Sequence, residues 1–363
     1  MDSLLRGAVP RGAALVAAAA LIFGGCSSGA TTAPASTAPE SMAAGSPAAA
    51  SFGAPESATI TVVVPYNQVQ TYGPFYVGVE QGYYAAEGLT VKVINASDVR
   101  GAVVGSSADI GMDFVGNVTQ AVSSGLGVSV VSGANCRTPF TFAVGSTINS
   151  VTDLDGKDVL LSATAGDPQN VQRKAFLAAA GWDLSQATPN YVNIPGGSAA
   201  WASLFAQGKL SMVPVYDATR GTVLNAGGKF ILDVLKDIPS YVLFGRNDWI
   251  SANPNTLARF LQATIKGFTY YDDLANTQAI LTMMSTKYGF KIDSYESSPA
   301  KYKIVQEPNC NNLYFDQAAF EAAQKAQSLP NVDFSKLANL TALEAAQASL
   351  GLDNTLPAAP PFP

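Results

Sequence analysis

Apolar positions along this chain change period again and again, and each change marks an element. From Thr59 to Val64, Ile60, Val62 and Val64 alternate with their neighbours, as a strand with a buried face requires. Phe75, Val79 and Tyr83 then recur at helical spacing. Pro74 suits a first helical turn and Gly88 the left-handed position that ends a helix, so the pattern predicts a helix from Pro74 to Gly88. Thr90 to Ile94 reads as a strand, and Asp98 as the cap of a short helix carrying Val99, Ala102 and Val103. Asp109 to Phe114 and Val128 to Val131 read as strands, with Asn117 capping a helix from Val118 to Ser124 between them.

The alternation restarts near Phe142. Val151 to Leu161 predicts a turn with a polar helical start, followed by a strand. Asp167-Pro168 reads as an N-cap and a first-turn proline, opening a helix that runs to Gly181 with Val171, Ala175 and Ala178 inward. Ser198 is placed to cap a helix bearing Trp201, Leu204 and Phe205, closed by Gly208. Met212 to Tyr216 and Phe230 to Leu232 are strands. The stretches 102–111 and 204–213 both read as helix end, glycine, short turn and strand, so the two halves echo one another. From Tyr241 the chain reads as returning to the first half. Val242 to Phe244 is a strand, and Asn253-Pro254 opens a helix with Leu257, Phe260, Leu261, Ile265 and Phe268 on one face. Helices follow from Gln278 to Lys287 and from Asp316 to Ser328. The proline-rich residues Leu356 to Pro363 read as a frayed end. Strands alternating with helices predict α/β layers with mainly parallel sheets.

Composition narrows the chemistry. The 363 residues suit two lobes and a tail rather than one domain. Charged residues make up 13 % and the net charge is −6, with no Lys/Arg cluster to meet a nucleic-acid backbone. There is no histidine, which excludes Ser-His-Asp and Cys-His nucleophilic pairs and His-ligated metal sites. Three cysteines are too few and too scattered for a thiolate metal site, so neither a metal nor another cofactor is expected.

Arg6 and Arg11 precede an apolar run from Ala13 to Phe23 that ends in Gly24-Gly25-Cys26, a secretion signal. It resembles a bacterial lipoprotein signal, in which the cysteine is lipidated; the other reading is an ordinary signal with a chance cysteine. Residues 1–25 are then the signal peptide. Residues 26–57, rich in Ala, Ser, Thr and Pro, have too few large apolar groups to offset the entropy of ordering, and read as a disordered tether. Outside the cytoplasm the remaining pair, Cys136 and Cys310, points to a disulfide, the alternative being two buried thiols. Closing so long a loop contributes roughly 4–5 kcal/mol in the chain-entropy model.

The phrases Pro74-Phe-Tyr-Val-Gly-Val-Glu-Gln-Gly-Tyr-Tyr-Ala-Ala-Glu-Gly-Leu89, Gly105-Ser-Ser-Ala-Asp-Ile-Gly111 and Asp153-Leu-Asp-Gly-Lys-Asp-Val159, in that order, resemble solute-binding proteins of ABC importers in the nitrate/sulfonate/taurine/thiamine-precursor group. The resemblance implies a two-lobed, periplasmic-binding-protein-like (type II) α/β fold. Each lobe is then a mainly parallel sheet flanked by helices, and two crossings form a hinge. Its expected bounds are 58–141 for the first part of lobe 1, 142–240 for lobe 2, 241–350 for the return and C-terminal helices, and 351–363 for the tail. The implied function is capture of a small molecule and delivery to a permease/ATPase complex, without catalysis. The protein would act as a monomer held to the outer face of the bacterial membrane by the lipid on Cys26.

Ligands of open α/β sheets lie beyond the carboxyl ends of strands. That rule and the resemblance select the same loops. They are Tyr66, Asn67, Gln68, Gln70 and Tyr72; Phe114 and Asn117; Thr138; Thr164 and Asp167; Ser198 and Trp201; and Tyr216 with Asp217. Trp201 reads equally as core, Asp217 as an N-cap, and Asp113 as a brace for nearby backbone. Aromatic groups outnumber basic ones here, which favours a small heteroaromatic ligand or vitamin precursor over a nitrate- or sulfonate-type anion. Two other readings compete: an enzyme of pyrimidine or menaquinone-precursor metabolism on the same fold, and a sensory or adhesion lipoprotein.

Overall fold

The computed structural model describes residues 52–65, 69–167, 169–195, 197–216, 219–290 and 309–358, with 69 and 70 described as backbone. In chain order the strands are β1 (Thr59–Val64), β2 (Thr90–Asn95), β3 (Ile110–Phe114), β4 (Val128–Asn135), β5 (Thr138–Val144), β6 (Asp158–Leu160), β7 (Asn190–Val192), β8 (Met212–Pro214), β9 (Lys229–Lys236) and β10 (Tyr241–Arg246). They form two five-stranded sheets of the same pattern, β2-β1-β3-β10-β4 and β7-β6-β8-β5-β9. Each contains one antiparallel strand. β10 runs against β3 and β4, and β5 runs against β8 and β9, while β1 is parallel to β2 and β3 and β6 to β7 and β8. The sequence echo is therefore structural, because β3 and β8, which follow the two echoing stretches, occupy the same central place.

The antiparallel strands are the two that enter from the other sheet. The chain crosses through Cys136 and Arg137 into β5, so the change of sheet falls a few residues before Phe142, and it returns through 237–240 into β10. Register then orients both sheets. Tyr241, first in β10, pairs with Phe114 and Asn135, the last residues of β3 and β4. Thr138, first in β5, pairs with Lys236, the last of β9. Pro214 of β8 pairs with Phe142, and the Val215 amide donates to the Thr141 carbonyl. In both sheets the carboxyl ends of these parallel strands point at the crossings.

The crossings are tied together. Thr138 Oγ1 donates to the Ile238 carbonyl at 2.7 Å, and the Ser240 amide to the Asn135 carbonyl at 3.0 Å. Arg137, buried, donates to Asp237 at 2.7 Å and to the Pro357 carbonyl. Cys136 and Cys310 form a disulfide with Cα atoms 5.5 Å apart, and Leu356 packs against it. Asn312 holds the Asp353 and Thr355 carbonyls. As far as residue 358 the tail is thus fastened over the crossing rather than frayed.

Helix Pro254–Asp272 buries Leu257, Phe260, Leu261, Ile265 and Phe268 in the core of the first sheet, as their spacing predicts. Each such side chain contributes roughly 1.5–3 kcal/mol by burial. Its partner, helix Val69–Glu80, begins five residues before the expected start, with Pro74 inside it. The two helices approach closely at Gly267, where an added Cβ would lie 2.8 Å from the Pro74 carbonyl oxygen. The expected single helix to Gly88 is broken at Gly82, which adopts φ +70°, and a short helix Tyr83–Ala86 follows.

Three more local readings are corrected. Helix Val115–Ser123 starts directly after β3, so Asn117 lies inside it rather than capping it. Helix Gly197–Ala206 begins before Ser198, which therefore is not its cap. Helix Gln169–Ala179 presents Val171, Ala175 and Ala178 to solvent and buries Gln169, Gln172, Arg173 and Leu177. The strip of small apolar residues lies on the outer face because Arg173 and its partners claim the inner one.

Candidate functional site

Because the strand ends of both sheets aim at the crossings, the residues that follow β3 and β6 and the end of β8 lie on that side of their sheets. On the first lobe, Phe114 ends β3 and its ring packs on Tyr241, with centroids 4.2 Å apart. Tyr72 meets Tyr241 edge-on at 6.2 Å. It lies in helix Val69–Glu80 rather than in a loop, and it is fully buried. No side chain caps helix Val115–Ser123 at Phe114, and the first amide of the helix, Val115, donates to the Ser240 carbonyl of the return crossing at 2.8 Å. Behind it, Asp113 accepts from the Phe114 amide at 2.7 Å and from Asn117 Nδ2 at 2.9 Å, with Arg100 at 3.6 Å. Burial pushes its pKa up, against those hydrogen bonds and the nearby guanidinium. Asp113 thus braces this corner, and Asn117 braces Asp113.

The second lobe supplies a wall organised by Arg173. Its guanidinium donates to the Leu161 carbonyl at 2.6 Å, to Gln169 Oε1 at 2.6 Å and to the Tyr216 hydroxyl at 3.2 Å, and it pairs with Asp167 at 3.5 Å. Asp167 also accepts from the Gln169 amide at 2.9 Å, as an N-cap does. Trp201 is buried, donates to the Ile194 carbonyl at 2.7 Å and packs against Tyr216 with ring centroids 6.0 Å apart. Deeper in this lobe Arg220 pairs with Asp233, which also accepts from Thr141 Oγ1.

Of the sequence-predicted residues, Phe114, Asp167, Trp201 and Tyr216 sit on these walls. Thr138 lies in the crossing itself with its hydroxyl engaged there. Thr164 is exposed and its carbonyl accepts from Ser162 Oγ. Ser198 is half-buried in the first turn of its helix. Tyr66, Asn67, Gln68 and Asp217 lie outside the described residues, and for Gln70 the backbone alone is described, in helix Val69–Glu80. Sequence reasoning missed Arg173 and Tyr241. Arg173 follows Gln169 by one helical turn and could have been found from that pair; Tyr241 opens the returning strand.

The walls are aromatic and amide-rich, and their charges are internally balanced: Arg100, Arg137, Arg173 and Arg220 each face an aspartate. Among the described residues no group of three or more Asp, Glu or Cys is placed to hold a metal ion, and no helix is long and apolar enough to cross a membrane.

Comparison with known proteins agrees with this architecture. A family model described as NMT1/THI5 like matches residues 70–273. No curated protein sequence matches the chain. Among solved structures, the periplasmic nitrate-binding protein NrtA from Synechocystis PCC 6803 superposes with a TM-score of 0.55 at 17 % identity, over 69 % of this chain and 71 % of that one. The alkanesulfonate-binding protein SsuA from Xanthomonas axonopodis pv. citri, bound to MOPS, gives 0.55 at 14 % identity over 76 % and 95 %. The desulfurization enzyme DSZB gives 0.53 at 15 % identity over 80 % and 99 %.

Proposed function

The chain belongs to the NMT1/THI5-like family, and from that premise we propose that it is the extracytoplasmic solute-binding component of an ABC importer. It captures a small molecule between its two lobes and passes it to a permease/ATPase complex. One observation carries the reading: both sheets direct strand carboxyl ends at two tied crossings, so the binding loops of the lobes face each other across a hinge. Phe114, Tyr241, Trp201, Tyr216 and Asp167 form the walls. The paired arginines leave aromatic faces and amides as the recognising chemistry. This favours a flat, polar, uncharged heteroaromatic over a bare anion, which would compete with an aspartate at each guanidinium. Anchoring through a lipid on Cys26, with residues 27–51 as tether, keeps the protein at the membrane that holds its permease; residues 52–57, expected in the tether, are instead fastened to helix Pro254–Asp272, where Arg259 holds the Phe52 and Gly53 carbonyls and Glu56 accepts from the Thr256 amide.

A thermal-shift screen of the soluble chain against pyrimidines, flavins, aromatic acids, sulfonates and nitrate tests the reading, because a ligand raises the melting temperature by mass action. The expected hit is a neutral heteroaromatic whose effect Tyr216→Ala abolishes. Loss of detergent-phase partitioning in Cys26→Ser tests the anchor. The likeness to a desulfurization enzyme favours one other reading, catalysis on the same fold; turnover of the hit would replace capture with it. The absence of histidine weighs for capture.

A further inference from the structure

A cavity of about 530 Å³ lies at the seam between the lobes, lined mostly by residues other than those of the walls above. Asp167, Asn170, Val171, Lys174 and Tyr191 line it from the second lobe. Gln120 of helix Val115–Ser123, with Gln327 to Pro330 at the end of helix Gln317–Gln327, lines it from the first. Asp167 and Leu161, whose carbonyl Arg173 holds, are shared with the principal site. Its volume falls within the range of small-molecule pockets.

The lining has a definite chemistry. Lys174 Nζ stands 4.5 Å from the centroid of the Tyr191 ring, and among the described residues no carboxylate lies within ion-pair distance of it. Asp167, the carboxylate in the lining, is held by Arg173 and the Gln169 amide. Val171 and Tyr191 are 49 % and 42 % exposed, large apolar surface left open beside the cation. Gln327 is 2 % exposed, and among the described residues neither its amide nitrogen nor its amide oxygen has a hydrogen-bond partner; Asn170 Oδ1 is likewise buried and unpartnered. Unsatisfied buried amides are uncommon in native proteins and point to a missing partner.

We propose that this seam cavity is a second ligand site, one that takes a small organic anion with an apolar or aromatic body. The acidic group pairs with Lys174, the body lies along Tyr191, Val171 and Leu329, and a further polar group of the ligand meets the amides of Asn170 and Gln327. Because its walls come from both lobes, the occupant ties one lobe to the other. The site does not depend on what the principal cleft binds.

The test uses 3-phenylpropionate and its uncharged amide as probes, with binding followed by ligand-observed NMR and by thermal shift. Lys174, Tyr191 and Val171 contact solvent, so their variants should fold normally, and unchanged melting of each apo variant checks this. We expect the carboxylate to bind the wild-type protein, and Lys174→Met to weaken it about three- to fivefold, the worth of a partly exposed ion pair. The amide probe should bind the wild-type protein and Lys174→Met alike. Tyr191→Ala should weaken both probes, and Tyr216→Ala neither. Equal binding of the carboxylate by Lys174→Met, loss of binding in Tyr216→Ala, or no binding at about 10 mM probe would each overturn the proposal.

Discussion

Asp272 offers a quantitative test of how the long core helix is joined to the hinge. It is the last residue of helix Pro254–Asp272, and its Oδ1 accepts from Asn309 Nδ2 at 3.0 Å. Asn309 accepts in turn from Asn135 Nδ2 at 2.6 Å, at the end of β4 beside the first crossing. Burial raises the Asp272 pKa from 3.8 to about 7, against the opposing hydrogen bond from Asn309. Between those two values the folded chain keeps a proton that the unfolded chain has released. Stability therefore falls as pH rises from about 4 to about 7, and is flat above. Some three pH units at about 1.4 kcal/mol each set a ceiling of about 4 kcal/mol. Water reaching a carboxyl that is only partly shielded reduces this to roughly 2–4 kcal/mol.

Asp272→Asn keeps an acceptor for Asn309 and never ionises. It also removes a negative charge from a helix C-terminus, an effect of the same sign. The variant and wild type should melt alike near pH 4, and the variant should gain steadily to about 3 kcal/mol by pH 8, roughly 5 °C for a domain of this size. Melts or urea titrations from pH 4 to pH 9 read the difference directly. An offset that does not change with pH, or one that shrinks as pH rises, would refute the account.

Three further outcomes follow from the packing. The variant with both Cys136 and Cys310 replaced by Ser should lose about 5 kcal/mol in the chain-entropy model, for a sequence separation of 174; urea denaturation shows it, and a loss under 1 kcal/mol would mean the unfolded chain was never much constrained. Glu56 holds the start of helix Pro254–Asp272, accepting from the Thr256 amide at 2.8 Å and the Asn255 amide at 3.2 Å. Although desolvation opposes them, these hydrogen bonds lower its pKa from 4.5 to about 2. Its contribution is thus complete above pH 4.5 and is lost as pH falls through about 2. Glu56→Gln should cost about 1 kcal/mol at pH 7, a helix-cap value for an exposed group, and less at pH 3. Gly267→Val should cost about 1–3 kcal/mol by overpacking against the Pro74 carbonyl, and calorimetry showing no loss would mean the two helices move apart freely.

What the sequence could and could not reveal divides along the range of the interactions. The core face of helix Pro254–Asp272 was readable because five apolar residues at helical spacing leave one solution. The echo between 102–111 and 204–213 was readable for the same reason, and the structure assigns it to matching central strands. Helix Gln169–Ala179 was misread because its apolar residues are small and its inner face is polar. That choice is made by partners far along the chain, Leu161 and Tyr216 around Arg173, which periodicity does not see. Likewise Tyr72 looked like a loop residue until Tyr241 supplied the ring that buries it. The candidate site consists of such non-local pairs. Four arginines, Arg100, Arg137, Arg173 and Arg220, are each matched by an aspartate, at separations from 6 to 100 positions in sequence. A charge paired in a shielded corner has little attraction left for a ligand, and replacing its partner costs desolvation twice. The same reasoning turns Lys174, which lines the seam with no carboxylate partner among the described residues, into the more informative cation, although nothing about its place in the sequence marks it out.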